Sequence, residues 1–266
     1  MPELPEVETI VREMRKALVG KRLKRVFIFD RKLSGPGVDL PLQVESVERL
    51  GKYIVCNMTN GVRCLMHLRM TGELLFEKLR FTDVPLERKH QRAVFSFADG
   101  SLLRFIDVRR FGTIDWPKAK EPLPSLGSDP LSRKFTTQNF SIVLKKSSRA
   151  IKSLLLDQRK VSGIGNIYAD ESLWRAKINP RRESRSLGPK EVRLLILAIK
   201  NVLKEAIRKG GSTMRDYRRL DGGSGHYQKS RKVYDREGEP CLRCKAKIRR
   251  IKTGGRSSYF CPKCQE

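Results

Sequence analysis

The sequence predicts a multidomain α+β chain: an N-terminal helix plus an antiparallel β-sandwich, then a helical domain, then a small metal-stapled β-hairpin. Three observations carry this prediction. An apolar stripe at helical spacing opens the chain. Short β-branched and aromatic segments separated by turn signals follow it to about residue 118. Beyond a proline-rich stretch the apolar period becomes helical, and the chain ends in two cysteine pairs.

The first helix rests on Leu4, Val7, Val11, Met14 and Leu18, which recur every three or four residues and share one face. Pro5 falls in the first turn, where a missing N–H costs little. Glu3, Glu6 and Glu8 stand at the start and Arg15 and Lys16 near the end, matching the helix dipole, and Gly20 supplies a stop. VFIF (26–29), YIVCNM (53–58), VRCLMHL (62–68), AVFSF (93–97) and LLRFI (102–106) then read as strands. Asn60-Gly61 and Asp99-Gly100 mark tight hairpins between adjacent runs. WPKAKEPLPSLGSDP (116–130) reads as a linker. Helical periods follow at 137–146, 150–157, 166–176 and 189–209, the last stopped by Gly210-Gly211. DGGSG (221–225) reads as a flexible loop. The expected division is 1–118, a linker over 119–134, a helical domain over 135–228 and a tail module over 229–266.

Composition narrows the partners. Lys+Arg number 57 against Asp+Glu 29, a formal net charge of +28. Self-repulsion on that scale destabilises a compact chain, so a polyanion is expected, with nucleic acid ahead of an anionic membrane. No stretch approaches the ~20 apolar residues of a membrane span. No signal-peptide pattern is present, so the expected compartment is the reducing cytoplasm beside the nucleoid, where six cysteines are unsuited to disulfides. Nothing in the sequence demands more than a monomer.

Four of those cysteines have metal spacing. CLRC (241–244) and CPKC (261–264) place Cys241, Cys244, Cys261 and Cys264 as two knuckles, the arrangement of a structural zinc site. Four thiolates leave no open position for substrate, and a tail of about 38 residues needs metal binding for its folding free energy. The run KIRRIKTGGRSSYF between the knuckles reads as a β-hairpin with Arg256 at its basic tip. Cys56 and Cys64 read as small buried hydrophobes. No organic cofactor is implied.

The head is acidic in a basic chain. Pro2 follows Met1, and loss of Met1 would expose a secondary amine. An α-amino group ordinarily titrates at about pH 8, below the ~10.4 of lysine, so more of it is neutral and nucleophilic near pH 7. Glu3 and Glu6 lie beside it and could move protons. Two readings stay open on spacing alone: an ordinary acidic helix start, or a Schiff-base active site.

MPELPEVET, GKYIV, HLRMTG, RRFG, GIGNIYADE, GGSTMRD, VYDREGEPC and the final CPKCQ together resemble the bacterial formamidopyrimidine-DNA glycosylase family, from the first residue to the last. The resemblance implies a helix–two-turn–helix DNA-binding domain with a zinc-finger β-hairpin. It implies a bifunctional enzyme of base excision repair that releases oxidised purines, 8-oxoguanine and formamidopyrimidines, from damaged double-stranded DNA, then cuts the abasic strand by β,δ-elimination. Pro2 matches the nucleophile, Glu3 the catalytic acid and Glu6 a supporting carboxylate. Lys52 in GKYIV matches the phosphate-contacting lysine of the catalytic set. His67 in HLRM, Asn166 in GIGNIY and Arg256 match phosphate contacts. Met70, Arg109 and Phe111 match the side chains that fill the gap left by a flipped nucleotide. The loop around 212–225 matches the region that meets the damaged base. Two alternatives fit parts of the pattern: an endonuclease VIII-like glycosylase for oxidised pyrimidines, and a non-catalytic damaged-DNA-binding protein.

Overall fold

The structure is a computed structural model that describes residues 1–78, 88–117 and 121–266. Residues 118–120, where the sequence places the end of the first domain and the start of the linker, lie outside the described residues. The chain divides into two compact units, Met1–Pro124 with Lys209–Gln228, and Ser125–Arg208 with Lys229–Glu266. The segment 209–228 therefore clusters with the N-terminal strands, whereas sequence pattern groups it with the helices that precede it.

In the first unit α1 spans Leu4–Leu18. Its stripe is wholly buried: Val7, Ile10, Val11, Met14 and Leu18 are at most 2% exposed. Among the described residues eight antiparallel strands follow: β1 (Arg22–Ile28), β2 (Leu42–Leu50), β3 (Tyr53–Met58), β4 (Arg63–His67), β5 (Gly72–Glu77), β6 (Gln91–Phe97), β7 (Leu102–Asp107) and β8 (Thr113–Asp115). They order as β5-β7-β6-β1-β2-β3-β4-β8. The β1–β2 pairing is confined to Arg22↔Gln43 and Leu23↔Leu42, so the strands form two halves joined at a corner. Inward residues of both halves, including Val47, Ile54, Phe95 and Phe105, share one core with α1. Asn60 and Gly61 both take positive φ (61° and 69°), as the tight β3–β4 turn requires. Cys56 and Cys64 face each other across β3 and β4, and burial pushes the Cys56 thiol up to about 12. They are packing residues, as expected.

The second unit contains α2 (Thr137–Lys145), α3 (Ile151–Leu156), α4 (Asn166–Ala176) and α5 (Pro189–Arg208), within a residue or so of their sequence-predicted spans. Thr136 caps α2 by accepting the Asn139 N–H at 3.2 Å. The tail forms the expected hairpin, β9 (Arg249–Thr253) and β10 (Arg256–Phe260), turned at Gly254-Gly255. Trp174 of α4 packs with Val233, Ile248 and Tyr259 of the tail around Cys241 and Cys261. Among the described residues no helix is long and apolar enough to cross a membrane.

Candidate active site and nucleic-acid interface

The head assembles around α1. Met1 is 54% exposed, whereas Glu3 and Glu6 are buried at 4% and 2%. Pro2 is buried with them. Glu6 uses both oxygens as acceptors: Oε2 takes the Glu3 N–H at 2.8 Å and Oε1 takes the Ser212 N–H at 2.7 Å. The reason is partly local. Glu3 is the N-cap and Glu6 the third helical residue, so Glu6 reaches back as in a capping box. The other part is long-range and depends on Gly211. A Cβ there would stand 2.9 Å from Glu6 Oε1 and 3.1 Å from Tyr217 Cε1, and its φ is +81°. Glu8 has a different fate from its two neighbours. Burial works against its charge, but Arg12 and Arg49, each at 2.8 Å, hold its carboxyl below the usual carboxylate range. It ties α1 to β2.

Lys52 and His67 lie close enough for their charges to interact. Lys52, in the tight β2–β3 turn, is 7% exposed and His67, ending β4, is 6% exposed. His67 Nδ1 accepts the Arg69 N–H at 2.9 Å, and its ring stands edge-on to Tyr53 at 4.6 Å between centroids. The proton of the neutral ring is thereby assigned to Nε2, which is left as a donor. Burial, with the charges of Arg69 and Lys52, lowers the His67 pKa to about 4. The ring is neutral near pH 7.

Met70, Arg109 and Phe111 are exposed, Met70 at 43% and Phe111 at 53%. Arg109 Nη1 lies 3.8 Å from Met70 Sδ, so two of the three form a pair. A core reading of Met70 and Phe111 is excluded by this exposure. The turn bearing them is built on Asp107, which is fully buried. Asp107 accepts from Thr71 Oγ1 at 2.5 Å, the Gly112 N–H at 2.7 Å and the Arg109 N–H at 3.2 Å. Arg69 and Arg110 adopt φ of 52° and 58°, uncommon values for non-glycine residues. Arg110 holds its position by a two-pronged pair with Asp30 at 2.6 and 2.7 Å, which lowers the Asp30 pKa to about 2. Sequence inspection missed Asp107 and Asp30. Only the spacing of an acid just before RRFG could have pointed to the first.

In the second unit Asn166 opens α4 after the turns at 157–165. Gln158 staples those turns: its amide donates to Ile164 O at 2.8 Å and accepts the Gly163 N–H at 2.8 Å. Gly163 needs its φ of 84°. Asn166 Nδ2 donates to Ser257 O at 3.0 Å, next to the exposed Arg256, so the helix start and the hairpin tip are joined. Lys152 of α3 reinforces this joint. It is fully buried and pairs with Asp170 Oδ1 at 2.7 Å while donating to Ser257 O at 2.6 Å. Asp170 Oδ2 also accepts the Tyr259 N–H at 3.0 Å. Glu171, next along α4, accepts the N–H groups of Lys232, Val233 and Tyr234, each at 2.9 Å.

The four tail cysteines bring their sulfurs within 4.8 Å of one another. Sγ of Cys241 lies 3.9 Å from that of Cys264, and Cys244 lies 3.4 Å from Cys261. A zinc tetrahedron with ~2.3 Å bonds has edges of about 3.8 Å, so the set fits the ion. Burial opposes a Cys241 thiolate, but the N–H groups of Cys244 and Arg243 and the Trp174 side chain lower its pKa to about 6. Zinc here holds the tail together and has no open position for chemistry.

Comparison with known proteins agrees with this geometry. Residues 1–114 match the formamidopyrimidine-DNA glycosylase N-terminal domain, 126–218 the formamidopyrimidine-DNA glycosylase H2TH domain, and 238–266 a zinc finger found in FPG and IleRS. The formamidopyrimidine-DNA glycosylase of Listeria innocua is 39% identical, with 100% of each chain covered. Lactococcus lactis Fpg in complex with an abasic site containing DNA superposes with a TM-score of 0.88 at 35% identity, covering 99% of both chains. A mutant of the same protein in complex with a Fapy-dG containing DNA gives 0.89 at 37% identity, covering 100% of both. Three domain matches in order and full-length similarity leave one assignment: the chain belongs to the formamidopyrimidine-DNA glycosylase family.

Proposed function

We propose that this chain is a DNA glycosylase and abasic-site lyase of base excision repair that releases oxidised purines from double-stranded DNA. The observation that carries this reading is the head: Pro2 buried beside Glu3 and Glu6, with an exposed Met1 ahead of it. With Met1 removed, the Pro2 amine attacks C1′ of the damaged nucleotide. The C1′–N bond breaks and the base leaves as it takes up a proton, supplied by Glu3 as general acid. The amine then loses its proton, the C1′–O4′ bond breaks as O4′ takes up a proton, and the nitrogen lone pair forms the iminium. Loss of a C2′ proton expels the 3′ phosphate, and a second elimination expels the 5′ phosphate. Glu6, held by two backbone N–H groups, keeps Glu3 and Pro2 in place.

Lys52 and His67 supply phosphate donors, His67 through a neutral Nε2–H. Met70, Arg109 and Phe111 enter the stack where the target nucleotide leaves it. Asn166, the amides of the first α4 turn and Arg256 bind backbone phosphate from the second unit. The surplus positive charge draws the chain onto DNA in the cytoplasm, at the nucleoid. The reading that favours oxidised pyrimidines differs in one measurable respect. Excision rates on duplexes carrying 8-oxoguanine opposite cytosine and on duplexes carrying thymine glycol decide between them. Faster 8-oxoguanine release is expected, and faster thymine-glycol release overturns the purine assignment.

A further inference from the structure

The segment 209–228 is held by α1 through Glu6 and Glu13, and between them Thr9 meets the Tyr217 side chain. At its neck, the Ser212 N–H donates to Glu6. At its waist, Glu13 Oε1 accepts Arg219 Nε at 2.7 Å and Oε2 accepts the Leu220 N–H at 2.9 Å. Glu6 and Glu13 stand about two helical turns apart, hence on one face of α1. The loop adds itself to the free edge of the sheet as well, through Phe76 N–H to Leu220 O at 3.0 Å in β5. Its two arms close at Lys209–His226 and Gly211–Tyr227, each with a backbone hydrogen bond of 2.9 Å. Gly225 sits in that closure, where a Cβ would meet Gly211 O at 2.4 Å. Within the 221–225 segment, read as a flexible loop, Gly225 is buried and donates its N–H to Thr213 Oγ1 at 2.9 Å.

The loop thus has two tiers. Tyr217 and Leu220 are buried in the core that contains α1, at 6% and 4% exposure. Met214, Arg215 and Asp216 are the exposed stretch between the Ser212 and Arg219–Leu220 anchors. That stretch begins two residues after Ser212, which is bonded to the carboxylate beside Pro2.

We propose that Glu13 is a positioning residue for base excision: through Arg219 and Leu220 it fixes the exposed 214–216 stretch relative to Pro2, and so sets recognition of the damaged base without taking part in strand cleavage. The inference rests on the proposed glycosylase reading. Release of a base requires the base to be read; cutting at a preformed abasic site does not, because no base remains. The Glu13 carboxylate spends its hydrogen bonds on Arg219 and Leu220, away from the head and the Met70–Phe111 turn, so a Glu13 defect should separate the two reactions.

The test is a pair of single-turnover rates on the same duplex sequence, with the full-length chain lacking Met1. One substrate carries 8-oxoguanine opposite cytosine and the other a preformed abasic site. Wild-type activity on both substrates tests the glycosylase reading itself. Glu13→Gln is expected to lower base excision about tenfold or more while abasic nicking stays within about twofold. Arg219→Gln, which keeps the Leu220 bond, is expected to shift the ratio of the two rates the same way by less. Parallel loss of both activities in the two variants, or no change in their ratio, overturns the proposal.

Discussion

Glu6 Oε1 accepts the Ser212 N–H at 2.7 Å across 206 residues of sequence. With the Glu3 N–H on its other oxygen, this carboxylate is an acceptor on both sides. Its chemical value is positional: it ties the residue after Pro2 to the start of the 212–225 loop. A glutamine at position 6 must turn its amide nitrogen toward one of two N–H donors and so loses one charge-assisted bond, worth about 1.5–3 kcal/mol. Glu6→Gln is expected to lower the rate of iminium formation while leaving binding to undamaged duplex unchanged. Gly211→Ala should resemble it, since its Cβ would press on Glu6 and its backbone would adopt positive φ. Stopped trapping assays at short times measure both.

The His67 ring is neutral because burial and two neighbouring cations hold its pKa to about 4. The sign follows from linkage: between that value and the ordinary ~6.5 the unfolded chain binds the proton and the folded chain does not. Stability from this residue is therefore present above about pH 6.5 and declines as pH falls toward 4. An NMR titration of the His67 ring should show no protonation near pH 6.5. A midpoint there would contradict the Arg69–His67 geometry.

The hairpin tip depends on zinc and on a buried ion pair. Removing zinc is expected to unfold the tail, release Arg256 from its fixed place and abolish specific DNA binding. Lys152→Met strands the Asp170 carboxylate in the core and takes a donor from Ser257 O, at a cost of about 3–5 kcal/mol. Thermal unfolding with and without chelator, followed by far-UV dichroism, checks both. Retained DNA binding in the zinc-free chain would refute the support role.

Phosphate contacts predict a linear fall of log affinity with log salt. Arg256→Ala should weaken binding to all sequences alike and reduce the slope by about one. Fluorescence anisotropy over a salt series provides the slope, and a flat plot would contradict the binding mode.

Much of this arrangement was legible in the sequence where the signal is local. The α1 stripe, the α4 and α5 spans, the two glycine hairpin turns and the zinc spacing all follow from patterns within about twenty residues. Strand β2 was not read, because the charges of LQVESVERL hide its alternation and a bulge between Val44 and Ser46 shifts it. Strand β5 was not read either, being a short half-buried edge. The residues that hold the site are legible only in three dimensions. Asp107 beneath the Arg109–Phe111 turn, Gln158 within the turns before Asn166, Lys152 against Asp170, and Glu13 against Arg219 join segments by contacts that no periodicity encodes. The clustering of 209–228 with the strands was hidden for the same reason: its glycines signal a turn, but the Glu6 and Glu13 carboxylates decide where it rests.

The proposed chemistry stands or falls on the amine of Pro2 becoming the covalent partner of the damaged nucleotide. Borohydride reduction of the chain with lesion-containing duplex, followed by peptide mass spectrometry, locates that partner. One reduced adduct is expected on the N-terminal peptide, at Pro2, in chains that have lost Met1. None is expected in chains that retain Met1 or in Pro2→Gly chains at matched times. An adduct on a lysine, or full trapping in Pro2→Gly, would contradict the assignment.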